Sequence, residues 1–415
     1  MPHNLFSVPD DPSERRRDQV SGHSAVQVFL SPKLYSRFDA HELIAAAHSL
    51  VSPRGRGVYA TDEAPDVMDG TLVMAMEEAG NRHTRFTEEK RRERRKAWKE
   101  CVYSAVPSDH ISGVILHPET LHTFHLAPLL SDRGIIPGVR ANAELTPLPR
   151  SEDEFLVEGL DGLLGRMQAA RGEGARFSKF RVPIMCGSVT PGPPPVPVES
   201  TENEGGDEGG QKKPYTSTVD TSTIFPTQLA LETVAETLAR FAAISQQAGL
   251  VPIVEPDVDF SRDADLARSA EVHERAIALI YERMRAHGVL LEGSLIKPSF
   301  PQPGLQHPSR DKVTAEEIAL ATATVISRSV PSAVPGVLFL SETATNYLAK
   351  VNQLALNSPP GSPFARLPAL SFSFGRALQA EPMKHWVKGD EEATKASLVK
   401  WSKICYDAVL SGAVA

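Results

Sequence analysis

The chain has 415 residues, 41% of them hydrophobic, and a formal net charge of -8, so it can bury a large core and is too acidic to offer nucleic acid a broad electrostatic footprint. Its length suits one large α/β barrel or two average domains, and no apolar run approaches the roughly 20 residues that span a bilayer. Cys101, Cys186 and Cys405 stand apart and form neither a disulfide framework nor a metal-ligand set; with an opening MPHNLFSVPDDPSERRRDQ that lacks the apolar core of a secretory signal, they point to a reducing, cytoplasmic setting.

Residues 1–30 are polar and mixed in charge, which predicts a flexible extension ahead of one barrel over 31–415. A helical AHELIAAAHSLV comes next. Short apolar runs follow in order: GVYATDE, ISGVILH, IIPGVR, RFSKFRVPI, VPIVEP, GSLIKPSF, GVLFLSE and ALSFSFG. Between them, stretches such as GLDGLLGRMQAARGEG, LALETVAETLARFAAISQQAG and AEVHERAIALIYERMRAHG carry apolar residues at helical spacing. Strand and helix in alternation predict a parallel sheet clothed in helices. Eight strand candidates favour a closed (β/α)8 TIM barrel, and no Gly-rich dinucleotide turn follows the first of them. After the fourth strand, residues 190–222 (TPGPPPVPVESTENEGGDEGGQKKPYTSTVDTS) are rich in Pro, Gly and charge. They cannot bury a core, which predicts a long flexible insertion.

In such a barrel the chemistry collects at the C-terminal strand ends. Asp62 and Glu63 close the first strand, Lys179 and Arg181 lie in the fourth, Glu255 and Asp257 end the fifth, and Lys297 ends the sixth. Ser341 ends the seventh, and Ser373, Gly375 and Arg376 end the eighth. Two lysines among several carboxylates suit carbonyl chemistry through an imine. A neutral amine attacks a ketone, and carboxylates can move the protons. Taken singly, each such residue is more often part of a solvated rim or an ion pair; their joint placement carries the reading.

Six motifs in order, SGVILHPETL, GLDGLLGRMQAARGEGARFSKFR, QQAGLVPIVEP, LLEGSLIKP, VPSAVPGVLFLS and FSFGRALQA, resemble the class I (Schiff-base) fructose-bisphosphate aldolases from about Pro32 to about Asp407. The resemblance implies Lys297 as the imine-forming lysine and Glu255 as the proton shuttle. It implies Lys179 as the lysine that contacts substrate hydroxyls, and Asp62 as the carboxylate for the C4 hydroxyl proton. Asp257 stands where the family has glutamate and is expected to orient its neighbours. Ser341, Ser373, Gly375 and Arg376 match the family's C1-phosphate site, and Arg181 is taken as a further substrate-binding cation. No metal or organic cofactor is implied; a sugar phosphate substrate and a homotetramer are.

The match weakens elsewhere. Ser341-Glu342-Thr343 replaces a Ser-Gly-Gly and sets a carboxylate beside the expected phosphate. Glu63-Ala64-Pro65-Asp66-Val67 lacks the far-phosphate serines, and Phe124 aligns with a family lysine. Other loop residues, such as Arg54 or Arg56, could supply a replacement cation. SGAVA does not offer the tyrosine of the family's tail. The expected activity is retro-aldol cleavage of a ketose 1-phosphate or fructose 1,6-bisphosphate to dihydroxyacetone phosphate and an aldehyde. The alternative is a catalytically weak homologue kept as a binding or scaffold protein.

Overall fold

The computed structural model describes residues 40–80, 86–151, 153–188, 224–340 and 345–412. The expected extension over 1–30 and insertion over 190–222 therefore lie outside the described residues. Helix α1 (Ala40–Val51) comes first and turns Leu43, Ala47, Leu50 and Val51 to one side, the spacing of an amphipathic helix.

Eight strands follow: β1 (Gly57–Thr61), β2 (Ile111–Leu116), β3 (Ile136–Arg140), β4 (Phe177–Ile184), β5 (Val251–Val258), β6 (Leu295–Ile296), β7 (Gly336–Phe339) and β8 (Ala369–Phe374). Each coincides with one of the eight apolar runs. Neighbours pair in parallel, and β8 pairs back onto β1 to close the barrel. The outer helices are α2 (Pro65–Glu78), α3 (Glu88–Tyr103), α4 (Ala127–Ser131), α5 (Leu163–Gly172), α6 (Gln228–Gln247), α7 (Leu266–Ala286), α8 (Ala315–Ser329), α9 (Thr345–Asn357), α10 (Arg376–Trp386) and α11 (Glu391–Ser411). A small antiparallel pair, Gly187–Ser188 with Ile224–Phe225, stands just beyond β4 and flanks the undescribed 189–223. Among the described residues no helix is long and apolar enough to cross a membrane.

The core has two layers. Outside the strands, apolar side chains of the helices meet those of the sheet. Inside, α1 plugs the N-terminal end: Leu43, Ala47, Leu50 and Val51 pack on Val58, Ile115, Phe177, Val251, Ile253, Leu295 and Leu338. The Phe177 ring fills the barrel axis because Gly138 leaves it room. A Cβ on Gly138 would stand 2.2 Å from that ring, well inside van der Waals contact.

The strands that end in Glu255 and Lys297 are locked together behind the site. The Lys297 N–H donates to the Val254 carbonyl at 2.8 Å. Two residues on, the Ser299 hydroxyl accepts from the Val258 N–H at 3.0 Å and lies 3.0 Å from His273 Nε2. His273 Nδ1 lies 2.7 Å from the Ser269 carbonyl, which can only accept, so the neutral ring carries its proton on Nδ1. Burial pushes this imidazole down to about 4.

That burial makes the fold acid-sensitive. The unfolded chain binds a proton near the ordinary pH 6.5, whereas the folded chain binds it only near pH 4. Stability is undiminished above 6.5 and falls as pH drops toward 4, by at most roughly 3 kcal/mol from this group. His273→Gln should flatten that part of the urea-midpoint curve; an unchanged slope would remove His273 as its source.

Candidate active site

Alternation along a strand sends residues i and i+2 to the same face, so Lys179 and Arg181 on β4, and Glu255 and Asp257 on β5, rise together toward the C-terminal mouth. Arg181 pairs with Glu255 in the strand register. Asp62 leaves the end of β1, Lys297 immediately follows β6, and Gly375 caps α10 just beyond β8.

The four innermost groups form a chain of alternating charge. Asp62 Oδ2 lies 2.7 Å from Lys179 Nζ. Lys179 Nζ lies 2.9 Å from Glu255 Oε2, and Glu255 Oε1 accepts a hydrogen bond from Lys297 Nζ. The side chains of Lys179, Glu255 and Lys297 are 5%, 3% and 6% exposed, and that of Asp62 is 12% exposed. An isolated charge could not persist at such burial; here each has an opposite neighbour in contact. Burial works to raise the Asp62 carboxyl, but Lys179, aided by Lys297 and Arg140, outweighs it and holds the group at about 2. Glu255 is likewise drawn down, against burial, by the two lysines. Lys179 is held above its ordinary value, again against burial, by Asp62 and Glu255.

Beside this chain, Arg181 donates Nε and Nη2 to Asp257 Oδ2 at 2.7 and 2.6 Å. Burial and the nearby Glu255 raise the Asp257 carboxyl, and Arg181 only partly offsets them. On the opposite wall the Ser373 hydroxyl is buried and has no hydrogen-bond partner among the described residues.

All these groups, with Gly375 and Arg376, line one cavity of about 760 Å³. Of the residues expected from the sequence, Ser341 lies outside the described residues; its neighbour Leu340 lines the cavity. The lining residues not anticipated include Arg140 at the end of β3, and Asn142, Ala143, Glu144 and Leu145 beyond it. Arg140 closes IIPGVR as Lys179 sits in RFSKFR, so the strand-end rule could have found it. Its guanidinium donates to the carbonyls of Asp62, Asn142 and Ala143 at 3.4, 3.2 and 3.4 Å.

The other substitutes for a far cation are corrected by the fold. Arg54 donates to the Val409 carbonyl and to Asn352, and Arg56 to the Ile111 carbonyl at the start of β2. Both therefore belong to the opposite end of the barrel. Phe124 packs into the core and does not line the cavity.

Comparisons with known proteins identify the family and the fold. The family model for class-I fructose-bisphosphate aldolase matches residues 42–198 and 208–412. Fructose-bisphosphate aldolase B of Gallus gallus is 34% identical over 350 residues, covering 83% of this chain and 82% of the relative. A fructose-bisphosphate aldolase of Drosophila melanogaster is 34% identical over 376 residues, covering 88% and 90%. The solved fructose-bisphosphate aldolase of Plasmodium falciparum, crystallised with TRAP and a small-molecule inhibitor, superposes with a TM-score of 0.73 at 27% identity, covering 95% of this chain and 99% of that one. With a closed barrel, a buried chain of two lysines and two carboxylates at its mouth, and a family match across almost the whole described length, the chain belongs to the class I fructose-bisphosphate aldolases.

Proposed function

We propose that the protein is a lyase that cleaves ketose 1-phosphates, fructose 1,6-bisphosphate among them, by retro-aldol chemistry through an imine on Lys297. The observation that carries this reading is the sharing of one buried carboxylate, Glu255, by two lysines. To attack the ketone at C2, Lys297 must first give up a proton, and Glu255 is the carboxylate it already touches. The proton held on Glu255 then leaves with the carbinolamine hydroxyl as water, producing the protonated imine. Lys179 stays charged between Asp62 and Glu255 and offsets the charge that builds around the imine. Asp62, held ionised by Lys179, takes the C4 hydroxyl proton. The C3–C4 bond breaks, and its electron pair flows into the imine as an enamine. Protonation at C3 and hydrolysis release dihydroxyacetone phosphate and free Lys297.

For the C1 phosphate, the turn at Gly375 and Arg376 begins α10, and a helix N-terminus with an adjacent guanidinium suits a dianion. Ser373 supplies a hydroxyl with no partner among the described residues. Ser341 completes the proposed C1-phosphate set, and Arg181, held at the rim by Asp257, is a further substrate-binding cation. A scaffold that no longer catalyses would gain nothing from this arrangement, since buried charges cost several kcal/mol each to desolvate.

Borohydride added with dihydroxyacetone phosphate should trap an adduct on Lys297, and Lys297→Arg should abolish it, because a guanidinium stays protonated. An adduct mapped to Lys179, or no adduct, overturns the assignment.

Preference between substrates follows from the far half of the cavity. Ala64, Asp66, Val67, Glu144 and Leu145 form its rim, and the whole lining carries six carboxylates against five cations. Arg140 is engaged by three carbonyls and Arg181 by Asp257. Little positive field is left for a second phosphate. Fructose 1-phosphate should therefore be cleaved with a kcat/KM comparable to or above that for fructose 1,6-bisphosphate. A bisphosphate preference of a hundredfold, about 2.7 kcal/mol, would mean that the far wall does bind the second dianion.

A further inference from the structure

A part-buried ion pair lies where β1 meets β8. The ladder there pairs Val58 with Ser373 and Tyr59 with Phe374, so it ends before β1 reaches Asp62 and before β8 reaches the Gly375 turn. Past that point the seam is bridged by side chains. Glu63 Oε1 accepts a hydrogen bond from Gln379 Nε2, and the Gln379 N–H caps the Gly375 carbonyl at 3.1 Å. Glu63 Oε2 lies 3.5 Å from Lys99 Nζ, which also donates to the Thr61 carbonyl at 2.7 Å. Tyr59 hydroxyl donates to Gln379 Oε1 at 3.2 Å, and the Thr61 and Tyr103 hydroxyls are 2.7 Å apart.

Lys99 comes from α3 and is only 3% exposed, as is Gln379. Burying an ammonium costs several kcal/mol unless it is paired. A methionine would fill the same space without that cost, so what the lysine supplies is positive charge behind Glu63 and a donor for the Thr61 carbonyl. Glu63 itself lines the cavity, between Asp62 and the Gly375 turn.

We propose that Lys99 is a positioning residue for the retro-aldol site: by pairing with Glu63 against Gln379, it fixes the separation between Asp62 at the end of β1 and the Gly375–Arg376 turn that starts α10. The inference rests on the aldolase reading above. Groups facing the pair come from several elements. Lys99 feels Glu63, Asp62 and Glu119, and burial, opposed by these carboxylates, lowers its ammonium. His117, just past β2, faces both Lys99 and Asp62. Tyr59 and Tyr103 face Glu63.

The test is a double-substitution cycle of Lys99→Met and Glu63→Gln, read by kcat/KM on fructose 1,6-bisphosphate and by urea midpoint, each from pH 5.5 to 8.5. Lys99→Met strands Glu63 as an unpaired carboxylate. At pH 8 it should lose at least about tenfold in kcat/KM. As pH falls toward 5.5, a proton on Glu63 removes the unpaired charge, so both activity relative to wild type and midpoint should recover. In the Glu63→Gln background the same Lys99→Met change should cost less than about threefold, with no such recovery. Failure of Lys99→Met to fold, with folding restored in the double variant, carries the same meaning. A loss independent of pH that persists beside Gln at position 63, wild-type kinetics in Lys99→Met, or failure of both variants to fold overturns the proposal. A wild-type protein that cleaves no ketose phosphate sinks the aldolase reading and the positioning role with it; the midpoints then still decide whether Lys99 charges the Glu63 bridge.

Discussion

Glu255 sits between two ammonium groups, and the mouth of the barrel is arranged around satisfying all three. A carboxylate that deep would be protonated without a cation, and one lysine would neutralise it. The second lysine needs a second acid, which Asp62 provides from the far side of the barrel. The result is a neutral chain that crosses the interior from β1 through β4 and β5 to β6. Only a closed sheet brings β1 within reach of β4 in this way, because the two are not neighbours in the ladder. The charges therefore depend on the barrel, and the barrel mouth tolerates burial because its charges are paired.

This explains why the ladder behind the site is so sparing. β6 is only two residues long, yet it must aim Lys297 to within a hydrogen bond of Glu255. Its alignment is borrowed from β5, through the Lys297 N–H on Val254 and the Ser299 hydroxyl on Val258. Side-chain bridges perform at β6, and again at the β1–β8 seam, what longer ladders perform elsewhere.

Much of this was legible in the sequence because it obeys local rules. All eight strands show as short apolar runs between helical stretches, and the polar residues expected at the ends of β1, β4, β5, β6 and β8 line one cavity. What escaped has no local signature. EEKRRERRKAWKECVY does not read as a core helix, yet α3 buries Trp98, Val102 and Tyr103, and seats Arg95 against Asp69 and Glu119 at 2.7 Å each. Lys99 and Gln379 matter through partners distant in the chain, which no spacing rule anticipates. Arg54 and Arg56 misled for the opposite reason. They are close to Asp62 in sequence, but the five-residue strand β1 intervenes, about 16 Å at strand rise.

The plug made by α1 also has a consequence for how the chain comes to be folded at all. Its apolar face is complete as soon as residues 40–51 are made, but its partners are spread along the chain as far as Leu338. During synthesis at roughly 5–20 residues per second, that face waits on the order of tens of seconds for the strands that will cover it. Contacts so remote in sequence also slow closure when the full chain refolds. The helix face that plugs the barrel is therefore long open to wrong partners, and its four plug residues mark where a chaperone would find this protein before the barrel does.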